Sequence, residues 1–277
     1  MTLYREAYMT TDQTMFGVYR RLVAAQTTNP LIRKAAQNGG AVTAILIYSM
    51  ENKIIDGAVV SAVNREKPFS PVPKLATTPQ EILECAGTRY AYSPNIQALS
   101  GATNQNRRAV AFVGTPCEIR VIREMQHANL KHAERVKLLI GLMCSEAFTY
   151  DGLMIDHIQK KLGIKLQSIK RIDIKGKMTL TVGAKETTIP IADIKKYARK
   201  TCKLCDDFSS ELADISAGNL GLQDWTLLIV RTQIGQQILT QAEKAHAIVT
   251  RSIQENGSAF KLLQRLSKTK HDRVKTQ

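Results

Sequence analysis

Two strongly apolar stretches each run straight into a cysteine, and no other feature constrains the fold of this chain as tightly. Ala109 to Val113 is a short apolar strand ending in Gly114-Thr115-Pro116, and Ile119, Ile122 and Met125 mark a helix that begins near Pro116, with Cys117 in the turn. Val136 to Met143 reads as a fully buried strand, followed at once by Cys144 and then by a helix from about Tyr150 to Leu162. Alternation of this kind belongs to an α/β sheet, whose adjacent strands bring their ends together at the face where ligands bind. The two cysteines are therefore expected to meet.

The rest of the chain fits around that sheet. Val42, Ile45, Leu46 and Met50 recur at helical spacing, and a strand from Ile54 to Val63 follows with Asp56-Gly57 at its start. Asn64 to Pro79 holds Pro68, Pro71, Pro73 and Pro79, each without an amide hydrogen, and reads as a surface excursion. Beyond Leu162 the shorter runs Ser168 to Ile174, Met178 to Val182 and Thr187 to Ile191 predict a small antiparallel sheet. A strand from Trp225 to Arg231 and helices around Gly235 to Ala245 and Ala259 to Leu266 complete the chain. The fold class is α/β of mixed α+β character: a central mixed sheet flanked by helices, with a small additional antiparallel β region.

Five cysteines is an odd count, and Met1 to Asp12 is too polar for a secretory signal, so a disulfide framework is not expected. Cys202-Lys203-Leu204-Cys205 is a C-x-x-C pair, whose spacing lets two thiolates of one turn face a common metal or cluster edge. As a redox dithiol it is poorly placed, because Asp206-Asp207 follows and negative charge disfavours a reactive thiolate. Together with Cys117 and Cys144 it can form a set of four thiols, suited to zinc or to an iron-sulfur cluster. Cys85, in Leu83-Glu84-Cys85-Ala86, reads as a small buried hydrophobe with no role.

A formal charge of +15 across 277 residues calls for an acidic partner: nucleic acid, a phosphorylated cofactor or an anionic protein face. The excess is concentrated, with thirteen Lys and Arg against three Asp and Glu from Lys160 to Lys203. The tail from Lys261 to Gln277 is basic too, and reads as a solvated helix end. A zinc-stabilised nucleic-acid module suits the charge and the C-x-x-C pair, but only 5% of residues are aromatic and no binding motif is present. No apolar run reaches the roughly 18 residues of a membrane span, which points to the cytoplasm.

Two further segments carry phosphate-binding character. Gln37-Asn38-Gly39-Gly40 opens a helix with unhindered amides at its positive end, although such a turn is often only a turn. Gly87 to Asn95 packs hydroxyls, a permanently charged Arg89 and Ser93-Pro94 into nine residues; helix capping accounts for Ser93 and Pro94 but not for Arg89.

Six segments, in order, carry a family likeness: Gln37 to Thr43 (QNGGAVT), Ala86 to Asn95 (AGTRYAYSPN), Gly114 to Glu118 (GTPCE), Ile140 to Phe148 (IGLMCSEAF), Cys202 to Phe208 (CKLCDDF) and Leu212 to Gly218 (LADISAG). From about Gln26 to Thr232 the chain resembles the beta subunits of coenzyme-F420-reducing hydrogenase and their relatives in formate dehydrogenase and F420H2 dehydrogenases. The resemblance implies an archaeal oxidoreductase subunit of methanogenesis that carries FAD and a 4Fe-4S cluster. Hydride would pass between coenzyme F420 and FAD, and single electrons through the cluster to or from a partner. That partner would be the large and small subunits of a hydrogenase, or subunits of formate dehydrogenase or heterodisulfide reductase type.

Position by position, the family pattern assigns cluster ligation to Cys117, Cys144, Cys202 and Cys205, and FAD contacts to Gly39, Gly40, Thr43, Thr88, Arg89 and Ser93. Lys175 and Lys177 are expected to guide the anionic phosphate-glutamyl tail of F420. No catalytic side chain is implied, because hydride and electron transfer ask only for positioning and electrostatics. On this reading residues 1–108 form an FAD-contacting region and 109–277 the cluster and coenzyme region, as two units or one compact domain. Two departures stand out: Arg89 where the family often has Lys, and Glu118 where it has Gln, the latter adding negative charge beside Cys117. A ferredoxin-coupled reductase of another organic substrate, using the same flavin and cluster, is the nearest alternative.

Overall fold

The computed structural model describes residues 15–253 and 257–275; the polar segment Met1 to Asp12 and the last two residues of the basic tail lie outside them. Eleven strands occur among the described residues: β1 (Arg21–Thr27), β2 (Gly57–Val63), β3 (Pro71–Ala76), β4 (Val110–Gly114), β5 (Val136–Leu142), β6 (Ile169–Ile174), β7 (Lys177–Val182), β8 (Lys185–Pro190), β9 (Ile215–Gly218), β10 (Thr226–Val230) and β11 (Ile248–Ser252). Eight of them form one mixed sheet in the order β11-β1-β10-β9-β5-β4-β2-β3, and β6-β7-β8 form the separate antiparallel sheet expected from the alternating runs.

The neighbours β2, β4, β5 and β9 run parallel, and the pairings toward both edges are antiparallel. Strands β4 and β5 lie side by side with Gly114 opposite Gly141, so their carboxyl ends leave the sheet together. Both faces are covered, which is why these strands are apolar apart from exposed Lys137 near the start of β5. On one face Ile45 and Leu46 of helix Ala41–Glu51 share a core with Val23, Ile140 and Leu228. On the other, Ile119 and Ile122 of helix Pro116–His127 pack on Phe112 and Leu139. Each such side chain, fully buried, contributes about 1.5–3 kcal/mol relative to exposure. Strand β1 is inserted between β10 and β11, so the amino-terminal region shares its sheet with the carboxyl-terminal one.

Two expectations need correction. The proline-rich excursion contains β3, with Pro73 opposite Ser61 and Pro71 opposite Val63. Proline is tolerated there because β3 is the outermost strand and pairs with β2 alone, so amides on its open side have no ladder to complete. The basic tail is likewise more than a solvated end: helix Ser258–Lys275 continues with Phe260, Leu263, Ser267 and Lys270 all buried along one stripe.

Candidate functional site

Cys117 stands in the first turn of helix Pro116–His127, immediately beyond β4, and Cys144 lies two residues past β5. Cys202 belongs to the short 3-10 turn Lys200–Leu204, and Cys205 closes it. All four line one cavity of about 60 Å³, together with Tyr92, Arg199 and Lys270. The convergence anticipated from the strand ends therefore occurs, and the C-x-x-C pair joins it. Among the described residues no three His, Cys, Asp or Glu side chains stand close enough to hold a single metal ion; the thiols surround a space and do not meet at a point.

Backbone bonds fix this cage. The amide of Cys144 donates to Phe208 O at 2.9 Å, tying the end of β5 to the segment after the C-x-x-C pair, and Arg199 N donates to Ala147 O at 2.9 Å. Buried Asp207 accepts from the amides of Ser210 (2.7 Å) and Glu211 (3.0 Å), which forms the turn leaving the pair. Asp206 meets Arg120 at 2.6 Å and so ties that segment to the helix of Cys117. Desolvation pushes the Cys144 thiol up to about 12, with Lys270 opposing and the three other thiols adding. Cys117 is likewise raised by loss of water contact. Such thiols keep their protons at neutral pH until a metal displaces them.

Glu118 has a part that its place beside Cys117 did not suggest. It is 3% exposed, and its carboxylate accepts from Asn95 N (2.8 Å) and Thr115 N (3.1 Å), joining the AGTRYAYSPN segment to the first turn of the cysteine-bearing helix. Desolvation raises its pKa. Ser93 does not cap the turn that follows: its hydroxyl donates to Asn95 Oδ1 at 2.7 Å, and the turn spans Asn95–Ala98.

The glycine segment and the Arg89 segment lie side by side. Gly40 adopts φ 72° at the head of helix Ala41–Glu51, a left-handed conformation open to glycine, and no side chain caps the amides that follow. Thr43 sits in that first turn, half-buried. A side chain on Gly39 would strike Ala25 O at 2.4 Å, so the segment is pressed against β1. Gly87 stands near Ala35 O, one turn before the glycines, and Thr88 next to it is exposed. The Arg89 guanidinium donates to the carbonyls of Cys85 (3.3 Å) and Ala86 (3.2 Å), while its Nε is buried without a partner among the described residues. Cys85 packs against the main core, and burial raises its thiol.

The small sheet closes onto both segments. Gln37 Nε2 donates to Ile172 O at 3.0 Å, Arg171 donates to Gln37 O at 2.8 Å, and Ile174 N donates to the Tyr90 hydroxyl at 3.1 Å. This brings the β6-β7 turn, with exposed Lys175 and Lys177 around Gly176, to the same side as the glycines. Tyr92, two residues on from Tyr90, stacks under Arg199 with the guanidinium carbon 3.5 Å from the ring centre. The AGTRYAYSPN segment thus reaches from the glycine shelf to the cysteine cage.

Residues 22–100 and 107–256 match the two halves of one family description, the amino- and carboxyl-terminal parts of the coenzyme F420 hydrogenase/dehydrogenase beta subunit. The chain belongs to that family. It is a family of oxidoreductase subunits. This beta subunit is 36% identical over 266 residues to the coenzyme F420 hydrogenase subunit beta of Methanothermobacter thermautotrophicus, covering 94% of each chain. It is 33% identical over 236 residues to a coenzyme F420-dependent sulfite reductase of Methanocaldococcus jannaschii, covering 79% of this chain and 37% of that one. It superposes with TM-score 0.90 at 32% identity on a chain of the F420-reducing NiFe hydrogenase complex of Methanosarcina barkeri, covering 95% of this chain and 92% of that one.

Lys270, Arg199 and Asp214 carry no individual signal in the sequence motifs, and Asp207 reads there only as negative charge beside the C-x-x-C pair. Asp214 is buried and receives bonds from Leu139 N (2.7 Å), Arg123 (3.0 Å) and the Thr232 hydroxyl (2.8 Å). For Lys270 a signal existed: Phe260, Leu263, Ser267 and Lys270 fall on one helical stripe, which the sequence continues through a serine and a lysine.

Proposed function

We propose that this chain is the subunit through which a larger redox complex exchanges electrons with coenzyme F420, holding FAD on the glycine shelf and a 4Fe-4S cluster in the cysteine cage. When bound, the flavin converts between paired and single electrons and the cluster relays single electrons. The observation that carries the reading is the set of four thiols, from three separate segments, around one cavity of about 60 Å³. A water needs only about 10–15 Å³ of such space, and the sulfurs of a zinc site, each about 2.3 Å from the metal, would leave none. The separation of the thiols supports a group of several atoms over a single ion.

The flavin reading rests on two features of the shelf. The uncapped amides behind Gly40 sit at the positive end of an eleven-residue helix with no acid in its first turn. On the adjoining segment the Arg89 Nε, buried without a partner among the described residues, is a donor awaiting an acceptor. In this reading Gly39, Gly40, Thr43, Thr88 and Arg89 take the pyrophosphate region, and Ser93 is retained at the far end of the same segment. Lys175 and Lys177 face the anionic tail of F420, and hydrogenase subunits are the electron partner, as the family relatives suggest.

Anaerobic isolation with co-purifying subunits tests this directly. Iron, acid-labile sulfide and flavin should all be present, and the complex should reduce F420 with electrons from hydrogen; material with neither iron nor flavin would end the reading. Turnover of F420 also separates it from a reductase of another organic substrate. Replacing Lys175 and Lys177 together by Ala should raise KM for F420 about three- to fivefold at low salt and much less at high salt, because exposed charges are screened. A KM indifferent to both changes would remove these lysines from the coenzyme path.

A further inference from the structure

The cations around the cysteine cage are not equivalent. Arg120 is paired with Asp206 (2.6 Å), Arg273 with Glu146 (3.2 Å), and Arg199 lies over the Tyr92 ring (3.5 Å). Lys270 is 3% exposed, lines the same cavity as the four thiols, and has no carboxylate partner among the described residues. Its Nζ donates to two neutral acceptors, Cys144 O at 2.9 Å and Ser145 O at 2.8 Å. Burying an ammonium costs several kcal/mol unless negative charge answers it, and two carbonyls supply only dipoles. The missing negative charge is what four deprotonated thiols around a metal group would provide. Lys270 also lies beyond residues 107–256, the stretch that matches the family pattern.

We infer that Lys270 is an electrostatic positioning residue of the cage, whose buried charge raises the reduction potential of the group bound there while its two hydrogen bonds hold the Cys144 turn in place. This rests on the cluster reading above. A positive charge in a poorly solvated site favours the more electron-rich of two redox states, and net charge and hydrogen bonding near the sulfurs are among the properties that set a cluster's potential. The effect would make the cage a readier acceptor of electrons arriving from the flavin side. Helix Ser258–Lys275 thereby becomes part of the redox machinery.

The test uses the full chain, purified anaerobically, as wild type, Lys270→Met and Lys270→Arg. Iron and sulfide per chain are measured first, then the cluster midpoint potential by dye-mediated titration followed by electron paramagnetic resonance. Lys270→Met should retain iron and shift the midpoint to lower potential, while Lys270→Arg stays near wild type. Iron lost from Lys270→Met but kept by Lys270→Arg would also support the inference, since charge would then be needed to assemble the cage. An unmoved midpoint in iron-loaded Lys270→Met would overturn it, as would equal shifts or equal iron loss in both variants, which would mark a role of shape alone. Wild-type protein without iron would overturn the cluster reading itself and this inference with it.

Discussion

The cysteine cage and the glycine shelf lie at opposite ends of one segment, residues 86–95, yet they are built in contrasting ways. The cage is made of side chains held from behind by buried carboxylates, with Asp207 and Glu118 each accepting two backbone amides. The shelf is made of backbone: the amides behind Gly40, the pressed glycine at 39, and an arginine folded onto carbonyls of its own segment. A site for a charged, covalently held group asks for particular atoms at fixed points, whereas a site for a phosphate asks for unhindered amides and space. On the proposed reading the same fold offers both, because strand ends deliver side chains and helix starts deliver amides.

If the two ends are separately built, they should fail separately. Cys205→Ala should abolish the brown iron-sulfur absorbance while flavin content and far-ultraviolet circular dichroism stay near wild type; loss of flavin in the same preparation would break the contrast. Asp214→Ala should lower unfolding free energy by about 2–3 kcal/mol in urea titrations, since it strands the buried Leu139 amide and removes the carboxylate that partly exposed Arg123 meets. A cost below about 1 kcal/mol would mean that the cage side does not depend on its buried carboxylates.

Gly40→Ala makes the complementary test on the shelf. The new methyl group would sit 2.9 Å from Thr27 Cγ2 at φ 72°, so a stability loss of about 1–2 kcal/mol and depleted flavin are expected, with iron retained. The smallest effect concerns Glu81, whose helix Pro79–Glu84 leads into the Arg89 segment. Its carboxyl falls from the ordinary 4.5 to about 2, chiefly because it accepts from the Thr77 amide, with Lys74 adding. A lowered pKa means stabilisation that is present above about pH 4.5 and disappears as pH falls toward 2. Glu81→Gln should therefore cost less than about 1 kcal/mol at pH 7, because the pair is partly solvated. The difference from wild type should vanish in acid, and a difference that persists there would locate the effect elsewhere.

The sequence was most informative where chemistry demands a rare residue type. Cys117, Cys144, Cys202 and Cys205 were grouped from two strand ends and one C-x-x-C pair, and the structure brings those four to one cavity. It was least informative where tertiary context overrides local preference. The prolines of β3 hid a strand because only its outermost place in the sheet makes them acceptable. Strands β1, β9 and β11 carry weak local signals and are defined by what they pair with. Lys270 looked like part of a solvated tail because charge is read as exposure, and only the packed stripe of its helix turns it inward. Glu118 stands beside Cys117 as the sequence indicates, while its bracing of two backbone amides is not legible there, since one donor lies more than twenty residues upstream and the other at the helix start.

The place of β1 bears on how such a chain comes into being on the ribosome. Its hydrogen-bonding partners β10 and β11 are translated roughly two hundred residues later, so the growing polypeptide must wait with that edge open, and loop closure over such a span is slow. Cys117 and Cys144 emerge well before Cys202 and Cys205, and Lys270 later still. On the proposed cluster reading, iron delivered early would meet only half of the thiols, so the cage would be completed only after the C-x-x-C pair and the last helix have emerged.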